Sequence, residues 1–402
     1  MKLLTIPKDQ YEDYRLDVIF DGYKWDPQFL DNNTIARHVL VLSKQEHQEL
    51  KSLTESLSKE TIEAETIINQ NLNLTKKLGL SRKIKKDIKN MTNYDPHLHI
   101  RLMRYDFHPV VQGGWALSEV NSDVPGGFAE ASLMPQIASK YFPSHTFTVH
   151  SFGERMGEAV KEKVRRGGRI MMVHCTSYSD DRQVMQFLGD QLKASGYDII
   201  YGAADHLKFE NTQAMSILDN HEGKIDGIIR FTPLEWLIDI KPKHWGGYFN
   251  TLTPSCNHPI AEFAQSKQFP LIWDDLAQVG VDLPTWKKLL PETVTVREAK
   301  GKEGFIYKPV WGRVGEGITI KEACRGDEYD KIMKDVRRHP KRYIAQKKFE
   351  SKALIDDENK PYHVCLGAYS INGKGAGYYA RISESPRIDS HAQDIPVLVE
   401  GE

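Results

Sequence analysis

The sequence predicts a mixed α+β and α/β protein, and three stretches carry that reading. Residues 100–121 hold two alternating, strand-like runs around paired glycines, residues 169–207 read as strand, helix and strand, and residues 1 to about 90 have helical spacing.

The N-terminal stretch is rich in Glu, Lys, Leu and Gln with few breakers after Pro27, so residues 1–95 are expected to form a helical segment. Its run KKLGLSRKIKKDIK is locally basic and reads as one solvated helix face. From Ile100 to Phe107 the chain reads IRLMRYDF, and from Trp115 to Asn121 it reads WALSEVN. Alternation puts Arg104 and Asp106 on one strand face, and it does the same for Glu119 and Asn121. The linker HPVVQGG supplies Gly113 and Gly114 for a reversal, so a hairpin should bring both pairs to one surface. Three hard oxygen donors, from Asp106, Glu119 and Asn121, then suit Mg²⁺, and Arg104 offers a planar donor fork to phosphoryl oxygens. An ordinary salt-bridged hairpin surface would show the same pattern.

Next, GGFAEASLMPQIASKYF reads as a helix whose start is marked by a tight backbone approach at Gly126 and Gly127, with a break near Pro143. Residues 169–207 form a βαβ unit with Asp180 and Asp181 in the loop after the first strand, which predicts parallel sheet. Ile225 to Phe231 gives a further buried strand that carries Arg230, and Pro233 to Ile238 can open a helix.

The run FIYKPVWGRVGEGITI delivers Lys308 from a strand, then breaks at Gly312, Gly315 and Gly317 before another short strand is expected. Glycines let backbone N–H groups close over phosphates, and Lys308 can neutralise their charge. It is not a Walker A loop, because the terminal Gly-Lys-Ser/Thr is missing. A plain β-turn with a solvated lysine fits the run equally. Tyr343 to Glu350 (YIAQKKFE), which contains Gln346, reads as a strand able to meet an adenine edge or as ordinary sheet. AYSINGKGAGYYARIS turns at Asn372-Gly373 and presents Arg381, either as a second anion clamp or as a surface arginine.

With 54 basic and 55 acidic residues, the net charge of −1 gives no global field to draw nucleic acid or an anionic membrane. At 40% apolar and 27% charged, the 402 residues suit a soluble globular protein of two or three packed units. No apolar run approaches bilayer length and MKLLTIPKDQ lacks the features of a signal peptide, so a cytoplasmic location is expected. Cys175, Cys256, Cys324 and Cys365 form no C-x-x-C pair. His97, His99 and His108 could offer zinc ligands, but no fourth ligand has matching spacing, and satisfied or exposed histidines fit as well.

Taken in order, Arg104, Asp106, Glu119, Asn121, Lys267, Lys308, the glycine loop and Arg381 resemble the glutathionylspermidine synthase family, a permuted branch of the ATP-grasp superfamily. The resemblance spans roughly residues 95 to 402. It is sharpest at R-x-D, at E-x-N followed by Asp123-Val124-Pro125, and at KPVWGRVGEGI; SKQFPLIWDDL is similar to a further family block around Lys267. The chain looks like the stand-alone synthetase-like members, without a cysteine-dependent amidase domain.

The resemblance implies an ATP-grasp-like fold, with antiparallel sheets holding ATP beside a pre-ATP-grasp βαβ domain. Residues 96–150 would be the Mg-binding hairpin part, 151–262 the pre-ATP-grasp domain and 263–402 the ATP-binding part. It implies Asp106, Glu119 and Asn121 as Mg²⁺ ligands, Arg104 and Arg381 as catalytic residues, and Lys267, Lys308, Gly312, Arg313, Gly315, Gly317 and Gln346 as ATP contacts. Asp180, Asp181, Arg230 and Thr232 would face the substrate. The implied activity is ATP- and Mg²⁺-dependent ligation of a small-molecule or short-peptide carboxylate to an amine through an acyl phosphate, releasing ADP and phosphate. Glutathione itself is not implied, since the family's hydroxyl positions after E-x-N are Val124 and Gly126 here. Two alternatives are a Mg·ATP phosphotransferase acting on a hydroxyl and a non-catalytic nucleotide-binding protein.

Overall fold

The computed structural model describes residues 1–402 except Asn93, Val314, Glu316 and Glu402. Its centre is a six-stranded antiparallel sheet in the order Gln393–Ile395, Lys374–Ser383, Pro361–Ile371, Leu102–Pro109, Trp115–Asn121, with Leu354–Ile355 added to Pro361–Ile371. Two turns set its hairpins. Gly113 and Gly114 both have positive φ between Leu102–Pro109 and Trp115–Asn121, and Asn372 (φ 49°) and Gly373 (φ 84°) reverse the chain between the two long C-terminal strands. Positive φ at both central residues matches the right-handed strand twist, which is why Asn-Gly closes this hairpin.

Leu102–Pro109 is buried along its whole length because both faces are covered. Met103, Tyr105 and Phe107 face the helix Lys44–Gln70, where Tyr105 and Thr61 hydroxyls meet at 3.0 Å. A Ser43–Glu46 capping box starts that helix. Its Leu50, Leu57, Ala64 and Ile68 are fully buried in the core, and each of the larger side chains contributes about 1.5–3 kcal/mol by leaving water. With that face taken by the core, Arg104 and Asp106 are left on the opposite face.

A four-stranded parallel sheet runs Ser255–Cys256, Gly227–Arg230, Arg169–Val173, Asp198–Gly202, with helices Phe152–Lys163 and Ser179–Ala194, as the βαβ reading predicts. A three-stranded antiparallel sheet places Tyr343–Lys347 between Thr293–Thr295 and Phe305–Pro309. Among the described residues no helix is long and apolar enough to cross a membrane.

Three expectations change. The N-terminal segment is not helical throughout: Lys2–Thr5 and His38–Leu42 are strands in a sheet with Val397–Glu400 and Phe147–Thr148. HVLVL is buried at every position, so it shows an unbroken apolar run rather than the alternation that marks a half-exposed strand. The strand expected after the glycine loop does not form. Thr319 takes its place beside Tyr307: its hydroxyl oxygen accepts from the Tyr307 N–H (2.7 Å) and its own N–H donates to the Tyr307 carbonyl (3.2 Å). Gly126 and Gly127 do mark a close approach, but the helix begins later, at Leu133. A Cβ at Gly127 (φ 91°) would lie 2.7 Å from the Tyr379 ring.

Candidate functional site

The hairpin register sets Arg104 opposite Asn121 and Asp106 opposite Glu119, so the four predicted side chains do share one face. A bulge follows at once, where the register shifts between Asp106 and Phe107 and Ser118 becomes the extra residue. Arg104 grips Asp106 with a two-pronged contact, Nε to Oδ1 at 2.8 Å and Nη2 to Oδ2 at 3.0 Å. Asn121 Nδ2 also donates to Asp106 Oδ2, at 3.0 Å. The guanidinium is pinned from behind: Nη1 donates to the Gly126 carbonyl at 2.9 Å, and the Tyr379 ring lies 4.9 Å from it. Tyr379 is itself anchored by its hydroxyl on Asp394 at 2.7 Å. The sequence reading missed Tyr379 and the Ser118 bulge, and only alternation along Lys374–Ser383, which puts Tyr379 and Arg381 on one face, hints at the first.

Two lysines from distant segments close on this face. Lys267 Nζ lies 2.9 Å from Glu119 Oε2 and donates to the Gly312 carbonyl at 2.6 Å, tying the glycine loop to the hairpin. Lys308 is 3% exposed and donates to the Ser118 carbonyl at 3.2 Å, the carbonyl that belongs to the bulge residue. Burial opposes the Glu119 charge, but Lys267, with Lys308 and Arg104 behind it, holds that carboxyl down to about 2. Burial and the charge of Lys267 drag the Lys308 ammonium down to about 8, Glu119 offsetting only part of that. Burial and Lys308 push His108 down to about 3, so its ring is neutral where it meets the Ser118 hydroxyl at 3.1 Å.

Two adjoining cavities share Ser118, Glu119 and Lys308. The inner one adds Lys267, Trp286, Ile344 and Gln346, apolar walls with a few polar groups. Gln346 is buried and donates to the Thr293 hydroxyl at 3.0 Å, and its own side-chain oxygen has no partner. The outer one adds Asp106, Gly315, Cys365 and Arg381. Arg381 pairs in register with Cys365, and one of its nitrogens contacts the Asp389 carbonyl at 3.4 Å. Gly315 and Gly317 have positive φ, and a Cβ at Gly315 would strike the Ile388 carbonyl at 2.5 Å. The loop therefore needs glycine where it packs against residues 388–389. Val314 and Glu316 of this loop lie outside the described residues.

Several predicted residues are placed elsewhere. Arg313 turns away from the cleft to Glu235, with contacts of 2.5 and 3.2 Å, and stacks 5.7 Å from the Trp236 ring. Arg230, expected to face the substrate, is locked to Asp123 in a pair whose side chains are both 0% exposed, because a guanidinium on a buried strand needs a carboxylate beside it. Thr232, half-buried, gives its carbonyl to Arg230 at 2.6 Å. Asp180 and Asp181 sit in the first turn of Ser179–Ala194. Burial, then the nearby Asp26 carboxylate, pushes Asp180 up to about 6. Burial alone pushes Asp181 to about 6 as well, against the Cys175 N–H and Arg313. His97 is exposed, and His99 is buried against Ser255. Among the described residues, no group of three close His, Cys, Asp or Glu ligand atoms includes His97, His99 or His108.

The donor set fits a divalent cation. Asp106, Glu119 and Asn121 supply hard oxygens on one face, and the Glu119 carboxyl is held ionised by adjacent lysines.

No curated protein sequence gives a significant match to the chain. Among solved structures, a glutathione synthetase-like effector from Globodera pallida in its apo form superposes with a TM-score of 0.67 at 12% identity, covering 97% of this chain and 96% of that one. A candidate gamma-glutamylcysteine synthetase from Methylobacillus flagellatus KT, at 12% identity and with 85% and 86% of the two chains covered, reaches only 0.46. The first likeness shows a shared fold. The glutathionylspermidine synthase preATP-grasp family model matches residues 8–400, nearly the whole chain. With its ATP-grasp-like architecture of antiparallel sheets beside a parallel βαβ layer, this chain belongs to the glutathionylspermidine synthase preATP-grasp family.

Proposed function

We propose that the protein is an ATP- and Mg²⁺-dependent ligase that joins a carboxylate to an amine. The observation that carries this reading is the convergence of Lys267 and Lys308, from separate segments, on Glu119 and the carbonyl beside it. One lysine on a carboxylate that can hold a metal, with a second lysine on the neighbouring carbonyl, makes a cradle for a polyphosphate, which needs both kinds of charge at once.

In this reading ATP is a substrate. The inner cavity takes the base between Trp286, Ile344 and Gln346, and Lys267 and Lys308 meet the phosphates. Asp106, Glu119 and Asn121 would hold magnesium, which when bound neutralises charge on the phosphoryl oxygens. The carboxylate substrate attacks the γ-phosphorus, ADP leaves, and an acyl phosphate forms; the amine then adds to the acyl carbon and expels inorganic phosphate as it loses its proton. No enzyme nucleophile is required. Arg104, preorganised by Asp106, the Gly126 carbonyl and the Tyr379 ring, meets charge on the transferred phosphoryl group, and Arg381 lines the same cavity. The glycine loop shields the acyl phosphate from water.

Asp180, exposed, and Asp181, half-buried, lie at the start of a helix, where they can meet a cationic amine. ATP turnover with panels of amino acids, short peptides and polyamines tests the reading. It predicts ADP, free phosphate and an amide product. ADP with a phosphorylated product would select a phosphotransferase, and nucleotide binding without turnover would leave a binding protein.

A further inference from the structure

Behind the hairpin, separate from the set at Asp106, Glu119 and Asn121, three carboxylates meet. Asp123 follows the strand Trp115–Asn121, Glu235 lies in the helix Leu234–Leu237, and Glu262 opens the helix Glu262–Gln265; one oxygen from each lies within 4.8 Å of the others. Two of the three have cationic partners. Asp123 is gripped by Arg230, and Glu235 by Arg313. Glu262 is 0% exposed, and neither of its oxygens makes a hydrogen bond. Glu235 Oε2 is likewise buried without a partner.

The charges that act on Glu262 are those of Asp123, Glu235, Arg230 and Arg313. Three carboxylates against two guanidiniums leave one negative charge. Burial and the two neighbouring carboxylates drive the Glu262 carboxyl well up towards its neutral form. A proton on Glu262 would also cancel the charge and could be shared with the unpartnered Glu235 Oε2, yet it would leave the other Glu262 oxygen with no partner, which buried polar groups rarely tolerate. A divalent ion would leave surplus positive charge between two guanidiniums. One monovalent ion balances the cluster and satisfies both oxygens.

We infer that Asp123, Glu235 and Glu262 form a site for a monovalent alkali-metal cation, potassium or sodium. The frame is rigid enough to hold one. Gln265 Oε1 accepts the Ser122 and Asp123 N–H groups at 2.7 and 2.9 Å, and Asp123 Oδ2 accepts the Leu234 N–H at 2.9 Å, so all three acid-bearing segments are tied together. Because Glu235 also holds Arg313, the ion would share a ligand with the anchor of the glycine loop. This inference stands independently of the ligase reading.

Thermal unfolding of the full chain in KCl, NaCl and choline chloride at equal ionic strength tests it. A saturable rise in Tm on the order of 2 °C in one alkali salt over choline is expected. The rise should vanish in Glu262→Gln and persist in Glu119→Gln. Crystals grown with rubidium or thallium should show an anomalous peak among the three carboxylates, which decides the matter even if Glu262→Gln does not fold. Equal Tm in all three salts, an alkali effect that survives Glu262→Gln, a Glu262-dependent response to magnesium alone, or no anomalous peak would each overturn the inference.

Discussion

Replacing Lys308 with methionine should make the protein more stable and a poorer nucleotide binder. The lysine is 3% exposed, and burial, with Lys267 nearby, lowers its ammonium from 10.5 to about 8. A depression of that size corresponds to roughly 3 kcal/mol of penalty on the charged form. Methionine keeps the buried aliphatic volume and removes that penalty, but it abandons the Ser118 carbonyl, at a cost of about 1 kcal/mol. The net gain is about 2 kcal/mol at neutral pH. Its pH dependence follows from the sign of the shift. The unfolded chain holds the proton more tightly, so the penalty is fully present below pH 8 and fades as the folded protein sheds the proton between about 8 and 10.5. Urea unfolding of both proteins should show a gap that is constant below pH 8, shrinks across that window and reverses above it, where only the lost Ser118 contact remains, and calorimetric titration should show nucleotide affinity reduced by about tenfold or more. A Lys308→Met protein less stable at pH 7, or a gap indifferent to pH, would refute the desolvation argument. Unchanged nucleotide affinity would remove Lys308 from the site.

The other residues give further tests. Glu119→Gln should lower Mg²⁺-dependent turnover by about 10²-fold or more. It should also erase an acid-sensitive part of the stability, because the depressed Glu119 carboxyl stabilises the fold above about pH 4.5 and loses that contribution as pH falls toward 2; acid unfolding curves of the two proteins check this. Arg230→Met strands Asp123 in the interior and should lower the unfolding free energy by about 3–5 kcal/mol, measured by denaturant titration, whereas a substrate contact at the surface would leave stability unchanged. Gly127→Ala forces a Cβ against the Tyr379 ring at positive φ, so a loss of about 2 kcal/mol is expected, with a drop in kcat as Tyr379 is pushed off Arg104.

Features governed by neighbours in sequence were legible before folding was considered. The two-residue period of RYD and SEVN, with Gly113-Gly114 between them, put Arg104, Asp106, Glu119 and Asn121 on one surface, and Asn372-Gly373 fixed the second hairpin. Each depends only on which way successive Cβ atoms point and on which residues tolerate positive φ. Even the bulge at Ser118 leaves that surface intact, since it falls after Asp106 and Glu119 have paired.

Partner choice was decided by tertiary structure. Lys267 meets Glu119 only because the chain returns to the hairpin, and the Arg313 fork reaches Glu235 rather than the cleft only because the helix at Leu234–Leu237 packs beside the glycine loop. Arg230 looked like a substrate contact at the end of a strand, yet both faces of that strand are covered, and a charge taken out of water must find an opposite one. The strand His38–Leu42 was invisible for the same reason, since burial on every side erases the polar half of the alternation. By itself the sequence determined local geometry and the inventory of charges; long-range packing decided which charges neutralise one another and which stay free to meet a ligand, because the cost of burying a charge depends on its surroundings in space.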